Sequence, residues 1–306
     1  MHLTHLAKLT LCFSGLSSGV NALVAPTEVY NGGFNQSGDT DVRLRIATGG
    51  AGQSGLVKVL ADAFIQSSVA NGSAPFRIGW VLSDTTFTIK NLQSGEADLG
   101  ISYIASAEKV AVESGIIDSK IYYLFRDHFL IVGPPENPAG INSSMDVTTL
   151  FAKLFNAADQ NNATTALPTR FLSRYDKSAT NLKESQLWLD IGQVPWGAPY
   201  STWYHQYIAF PIQALTTAIT LKEYTLTDRG TLLSLPNSVF IQGEVFKAGQ
   251  DDENDPLLNR GRLLLGKKAQ NETLARQFAE WSVGPQGQSV VTGFKKNGTQ
   301  LYSGAP

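Results

Sequence analysis

Cysteine is nearly absent: Cys12 is the only one in 306 residues. It falls within residues 1–22, which read as a secretory signal peptide. Lys8 precedes a short apolar core from Leu9 to Leu16, and Val20-x-Ala22 offers a small-residue cleavage site. The chain beyond residue 22 then has no thiol, which excludes disulfides, cysteine nucleophiles and thiolate metal sites. Histidine is scarce too, with His128 and His205 the two beyond the signal, and neither sits at metal-ligand spacing. No His-Glu-x-x-His or Gly-x-Ser-x-Gly string occurs, so no catalytic motif is recognisable and no cofactor or metal is expected. A basic run is missing at a net charge of −2 and a pI of about 6.1, which argues against nucleic acid and anionic membranes as partners. No apolar run is long enough to span a bilayer.

What is present fits a globular chain: 42% of residues are hydrophobic and 16% charged. The length suits one large domain or two lobes. Asn-x-Ser/Thr sequons at Asn35, Asn71, Asn142, Asn162, Asn271 and Asn297 exceed chance expectation and point to a glycoprotein of a eukaryotic secretory route. Residues 23–41, polar and glycine-bearing, read as a flexible leader.

Strand-like and helix-like segments then alternate: strand 42–48, a helix from Leu56, strand 76–82, helix 85–95 and strand 97–104. That order argues for a mostly parallel sheet with helices on its faces. Further on, the pattern predicts a strand pair over 121–135, helix 147–158, strand 169–176 and helix 177–192. A helix over 204–223 broken near Pro211 follows, then strands at 223–230, 238–244 and 260–269, and a closing helix over 273–294 with a Gly-Pro break.

The turn Thr48-Gly49-Gly50-Ala51-Gly52-Gln53-Ser54-Gly55 admits three readings. Gly50-x-Gly52-x-x-Gly55 satisfies a dinucleotide fingerprint, and Asp84 ends the second strand where a ribose-binding acid would sit. The turn is equally compatible with no ligand. In the third reading, backbone N–H groups at a helix start hold a small oxyanion, with hydroxyl donors from Thr48 and Ser54. A second half-site lies in Ser173-Arg174-Tyr175-Asp176-Lys177-Ser178-Ala179-Thr180. There Arg174 offers a fork of donors, and Ser178 and Thr180 open a helix. The plainer reading has Ser178 or Thr180 as a cap and Arg174 paired with Asp176. Asp228-Arg229 is an internal ion pair or a group that orients a cleft. The aromatic stretch Trp196 to Tyr207 either stacks on a sugar or fills a core.

Several strings in order resemble the tungstate-binding receptors of ABC importers, within the type II periplasmic-binding-protein superfamily. They are ATGGAGQSGL (47–56), SGEAD (94–98), DHFLIVGP (127–134), PAGI (138–141), FLSRYDKSAT (171–180) with Glu184 and Leu187-Trp188, YTLTDRGT (224–231) and EWSVGPQGQ (280–288). The resemblance runs from about Arg43 to Phe294 and implies an α/β fold of two lobes joined by two crossovers. It places Thr48, the amides of Gly49 and Gly50, and Arg174 near an anion, with Ser178 and Thr180 at a matching helix start. Departures stand beside it: the family's hydroxyl-rich first turn is Thr-Gly-Gly-Ala here, and its Ser-Gly-Thr-His is Ser178-Ala179-Thr180-Asn181.

The expectation is a monomeric, secreted or cell-wall, fungal-like solute-binding protein, not an enzyme. Lobe 1 is expected over 42–135 plus 253–306 and lobe 2 over 136–252, with a tungstate-, molybdate-, phosphate- or sulfate-like anion in the cleft and no transporter partner assigned. The alternatives are a carbohydrate- or surface-interacting module built on Trp196–Tyr207, and a secreted hydrolase with a carboxylate pair.

Overall fold

The computed structural model describes residues 25–34, 42–159 and 166–306. The signal, residues 23–24 and 35–41 of the leader (Asn35 among them) and Asn162 lie outside the described residues. The first strands and helices are β1 (Glu28–Tyr30), β2 (Val42–Thr48), α1 (Gly50–Gln53), α2 (Leu56–Ala70), β3 (Arg77–Leu82), α3 (Thr85–Ser94), β4 (Leu99–Ser102) and α4 (Ala105–Glu113). Next come β5 (Tyr122–Gly133), α5 (Val147–Asp159), β6 (Phe171–Ser173), α6 (Ala179–Asp190), β7 (Tyr204–Gln206), α7 (Pro211–Thr220), β8 (Thr225–Asp228), α8 (Arg229–Leu232), α9 (Asn237–Phe240) and β9 (Glu244–Ala248). The chain closes with β10 (Leu258–Leu265), α10 (Glu272–Val283), α11 (Pro285–Gly293), β11 (Lys295–Lys296), β12 (Thr299–Gln300) and β13 (Ser303–Gly304).

The main sheet runs β1-β3-β2-β4-β10-β5-β13, with β8 and β9 also on β5. It is mixed, but antiparallel pairs outnumber parallel ones, contrary to the mostly parallel sheet expected. The cause is β5 and β10. Helix crossovers make β2 parallel to β3 and β4, whereas β10 returns antiparallel to both β4 and β5. The expected strand pair over 121–135 is one strand. Its first half pairs with β10 and its second half with β8 and β9. One apolar core gathers around Leu44, Leu60, Phe64, Trp80, Phe125 and Phe278. A second gathers around Phe129, Phe151, Phe171, Trp188, Trp203 and Tyr224. β5 supplies Phe125 to the first and Phe129 to the second.

Three other expectations fail for packing reasons. Within the leader, Glu28–Tyr30 is a strand along β3, with Tyr30 buried. The helix expected over 204–223 is the short strand β7 followed by α7, because Trp203 and Tyr204 are drawn into the second core and Pro211 starts a new helix at its first position. The strand expected over 238–244 is a one-turn helix that precedes β9. Among the described residues no helix is long and apolar enough to cross a membrane.

The glycine turn is built by sterics. A Cβ on Gly52 would lie 2.0 Å from the Trp80 indole, whose Nε1 donates to the Thr48 carbonyl at 2.8 Å. Gly55 has φ +97°, the left-handed region glycine enters without steric cost. α1 ends after four residues and α2 begins past Gly55, so the glycines serve the Trp80 contact and a reversal of the chain rather than a pyrophosphate. Gly52→Ala must displace a hydrogen-bonded indole. The expected loss is about 1–3 kcal/mol, read as a lower urea midpoint with an unchanged m-value.

Candidate functional site

The first half of the site hangs on the end of β2. Thr48 is fully buried there, and its Oγ1 makes no hydrogen bond of good geometry, although the Tyr103 hydroxyl is close by. Gly49 and Gly50 follow. Gly49 sits where a Cβ would come within 2.8 Å of the Ser83 carbonyl, so no side chain fits between them. The Gly50 N–H, at the start of its helical turn, has no intrahelical acceptor.

The second half hangs on the end of β6. Tyr175, at φ +47°, turns the chain, and Asp176 holds the turn together. Asp176 accepts from Ser178 N at 3.0 Å and Ser178 Oγ at 2.5 Å through Oδ1, and from Arg174 Nη2 at 2.5 Å through Oδ2. Ser178 then caps α6, accepting from Asn181 N at 3.3 Å. Both plainer readings of this stretch therefore describe real bonds. Yet the Arg174 Nε is buried and has no hydrogen-bond partner.

These segments, more than a hundred residues apart, share one cavity of about 390 Å³. Its walls include Gly49, Gly50, Arg174, Ser178, Ala179 and Thr180. Thr48 lies behind the wall. Ser54 lies outside it, on a small neighbouring cavity. The Ser54 Oγ donates to the Ala51 carbonyl at 3.1 Å and accepts from the Tyr302 hydroxyl at 2.8 Å, so it is already engaged. The α6 N-terminus adds the positive end of a helix dipole beside Arg174.

Acids line the same cavity. Asp84 caps α3, accepting from Phe87 N at 2.8 Å, and is thus a helix cap rather than a ribose ligand. Asp228 caps α8, accepting from Thr231 N at 2.8 Å and Thr231 Oγ1 at 2.6 Å. That bonding replaces the Asp228–Arg229 ion pair expected from sequence. Asp127 accepts from His128 N at 2.8 Å and Asn259 Nδ2 at 3.1 Å. Its burial, and the nearby Asp228 charge, push its pKa up to about 8. On the buried face of α6, burial lifts Glu184 to about 7 although the Tyr204 hydroxyl donates to it at 2.6 Å.

Sequence reasoning missed Asp127, Asn259, Phe87, Phe210 and Tyr302, which also line the cavity. Asp127 carried the one available signal, an acid and a histidine interrupting an apolar strand. Of the described histidines, each is paired with a carboxylate. His128 Nε2 meets Asp251 at 2.9 Å with its pKa lowered by burial, and His205 Nδ1 meets Glu223 at 2.9 Å. In the aromatic stretch, Trp203 packs 5.5 Å from Trp188 and 6.1 Å from Tyr204 between ring centroids, inside the second core. Of the sequons, Asn71, Asn142 and Asn297 are exposed, while Asn271 caps α10 by accepting from Leu274 N at 3.1 Å.

Comparison with known proteins agrees with this architecture. A solved periplasmic protein, provisionally described as metal-binding, is 54% identical, with a TM-score of 0.85 over 91% of this chain and 99% of its own. The tungstate-binding protein TupA from Desulfovibrio alaskensis is 25% identical, with a TM-score of 0.68 over 86% of this chain and 98% of its own. A Haloferax volcanii protein, provisionally named an ABC transporter anion-binding protein, is 27% identical over 95% of this chain and 81% of its own. The model of the PBP superfamily domain matches residues 35–286, and the chain belongs to that family.

Proposed function

We propose that the protein is an extracellular solute-binding protein that captures a small oxyanion in the cavity shared by the Gly49–Gly50 turn and the Arg174–Thr180 turn. The observation that carries this reading is the buried Arg174 Nε–H without a partner, on a residue that lines the same cavity as Gly49, Gly50 and the Ser178–Thr180 start of α6. A buried donor left unsatisfied costs free energy, and a bound oxyanion restores what water supplied. Tungstate, molybdate, sulfate and phosphate are the inorganic candidates, with Ser178 and Thr180 as further contacts and Thr48 supporting the Gly49–Gly50 turn from behind the wall. Ser54 contributes only by fixing the turn.

In this reading lobe 1 (42–135 plus 253–306) and lobe 2 (136–252) close on the ligand by bending where β5 and the 249–258 return cross between them. The names of the relatives support a role in solute capture outside the cell membrane. Glycans on Asn71, Asn142, Asn271 and Asn297, with Asn35 and Asn162, belong to the eukaryotic, secreted form of the proposal, supported by the excess of sequons.

Two outcomes are expected. One or more of the four anions raises Tm in a saturable way, as ligand binding to the folded state requires. Arg174→Ala removes that rise while its ligand-free Tm stays within a few degrees of wild type. No rise with any anion, or an undiminished rise in the variant, contradicts the assignment.

The second concerns pH. Asp127, titrating at about 8 when folded and near 3.8 when unfolded, carries a proton in the native state that the unfolded chain lacks between those values. Native stability therefore declines as pH rises from about 4 to about 8, and Glu184 adds a decline of the same sign up to about 7. Anion affinity should also weaken above pH 8, by up to about tenfold per pH unit, as the Asp127 carboxylate becomes charged. In calorimetric titrations and thermal melts run from pH 5 to 9.5, Asp127→Asn should flatten the affinity profile and reduce the stability decline to the part Glu184 contributes below about pH 7.

A further inference from the structure

The cavity offers more room and more carbon than a tetrahedral oxyanion uses. Its volume of about 390 Å³ falls in the range of clefts that hold small organic ligands. Beyond the Arg174 seat, its walls include Leu82, Phe87, Ile101, Phe210 and Pro211. Three of these are large apolar side chains kept in water: Leu82 is 38% exposed, Phe87 50% and Phe210 64%. Ile208 and Ile212, flanking Phe210, are 76% and 47% exposed. An apolar rim that stays wet in the free protein gains by being covered when a ligand with a hydrocarbon part arrives.

The charges point the same way. Arg174 is the one cationic side chain among the described residues lining this cavity, and Asp176 already engages one of its nitrogens. Asp84 and Asp228 line the same walls. A dianion brings a second negative charge into a site whose single guanidinium is partly neutralised and whose walls carry carboxylates. A monoanion brings one, and its uncharged body has no repulsion to overcome.

We propose that the site takes a singly charged organic anion, a carboxylate or sulfonate with an apolar body. The head lies at Arg174, Gly50 and the start of α6, and the body lies along Phe87 and Phe210. This rests on the oxyanion reading of the cavity and narrows it to a ligand class.

The test is calorimetric titration of the full chain at pH 7 with two homologous pairs, acetate and hexanoate, methanesulfonate and hexanesulfonate. Tungstate and molybdate serve as inorganic probes and 1-hexanol as an uncharged control. The expected result is at least a tenfold gain in affinity from the short to the long member of each pair, with no measurable binding of 1-hexanol. In Phe210→Ala, an exposed site where folding is checked by circular dichroism, the long-to-short ratio should fall toward one. Arg174→Ala should abolish binding of both members. If tungstate or molybdate binds, Arg174→Ala abolishes it, and chain length has no effect, the organic-ligand inference is overturned while the oxyanion reading stands. If no anion of either kind binds, both fall. Binding of 1-hexanol as tight as hexanoate overturns the anionic head group.

Discussion

Arg174 is held between two partners, one present and one owed. Its Nη2 is fixed by Asp176, which simultaneously ties down the start of α6 through Ser178. Its Nε is withdrawn from water and bonded to nothing. The protein has thus fixed the guanidinium in place at the cost of leaving one donor unsatisfied, on a residue that lines the cavity. Tyr175 in a left-handed conformation, Asn181 donating to Ser173 Oγ at 3.0 Å and the Ser178 cap all serve the same few atoms. Remove Asp176 and the arginine loses its anchor, the helix loses its cap support, and the seat loses its shape together.

The local motifs of this site were legible in the sequence because each is chemically self-contained. A threonine at a strand end, two glycines before a helix, and Arg-x-Asp-x-Ser before another helix announce their own geometry. The other wall residues gave no comparable signal because the fold delivers them. Asn259 reaches Asp127 only because β10 pairs with β5 in a particular register. Phe210 arrives because Pro211 begins α7 where a longer helix was expected. Likewise the alternation of β2, α2, β3, α3 and β4 could be read directly, whereas the strand at Glu28–Tyr30 exists only by virtue of an edge supplied by β3. The polar trio Arg126-Asp127-His128 lies within the single strand β5, where a strand pair was expected. It is tolerated mid-strand because Asp127 finds a neighbouring amide and Asn259, and His128 finds Asp251.

Two residues of the aromatic stretch show the opposite hazard, a vivid composition with a plain structural use. Trp203 and Tyr204 close the second core against Trp188 and Phe171. The exposed hydrophobic side chains near the cavity, Phe87 and Phe210, stood in stretches with no unusual composition. Residue type alone did not separate the aromatics that hold the fold from those that face the cavity; burial did.

Strand β5 has a mechanical consequence. Twelve residues of a single extended backbone anchor Phe125 in one core and Phe129 in the other. Sliding one core past the other would tear ladder bonds on both sides of Arg126–His128. Twisting about the strand axis would leave most of them intact. A hinge between the two cores would therefore work like a torsion bar, stiff in shear and compliant in rotation, with its pivot beside Asp127 at the cavity wall.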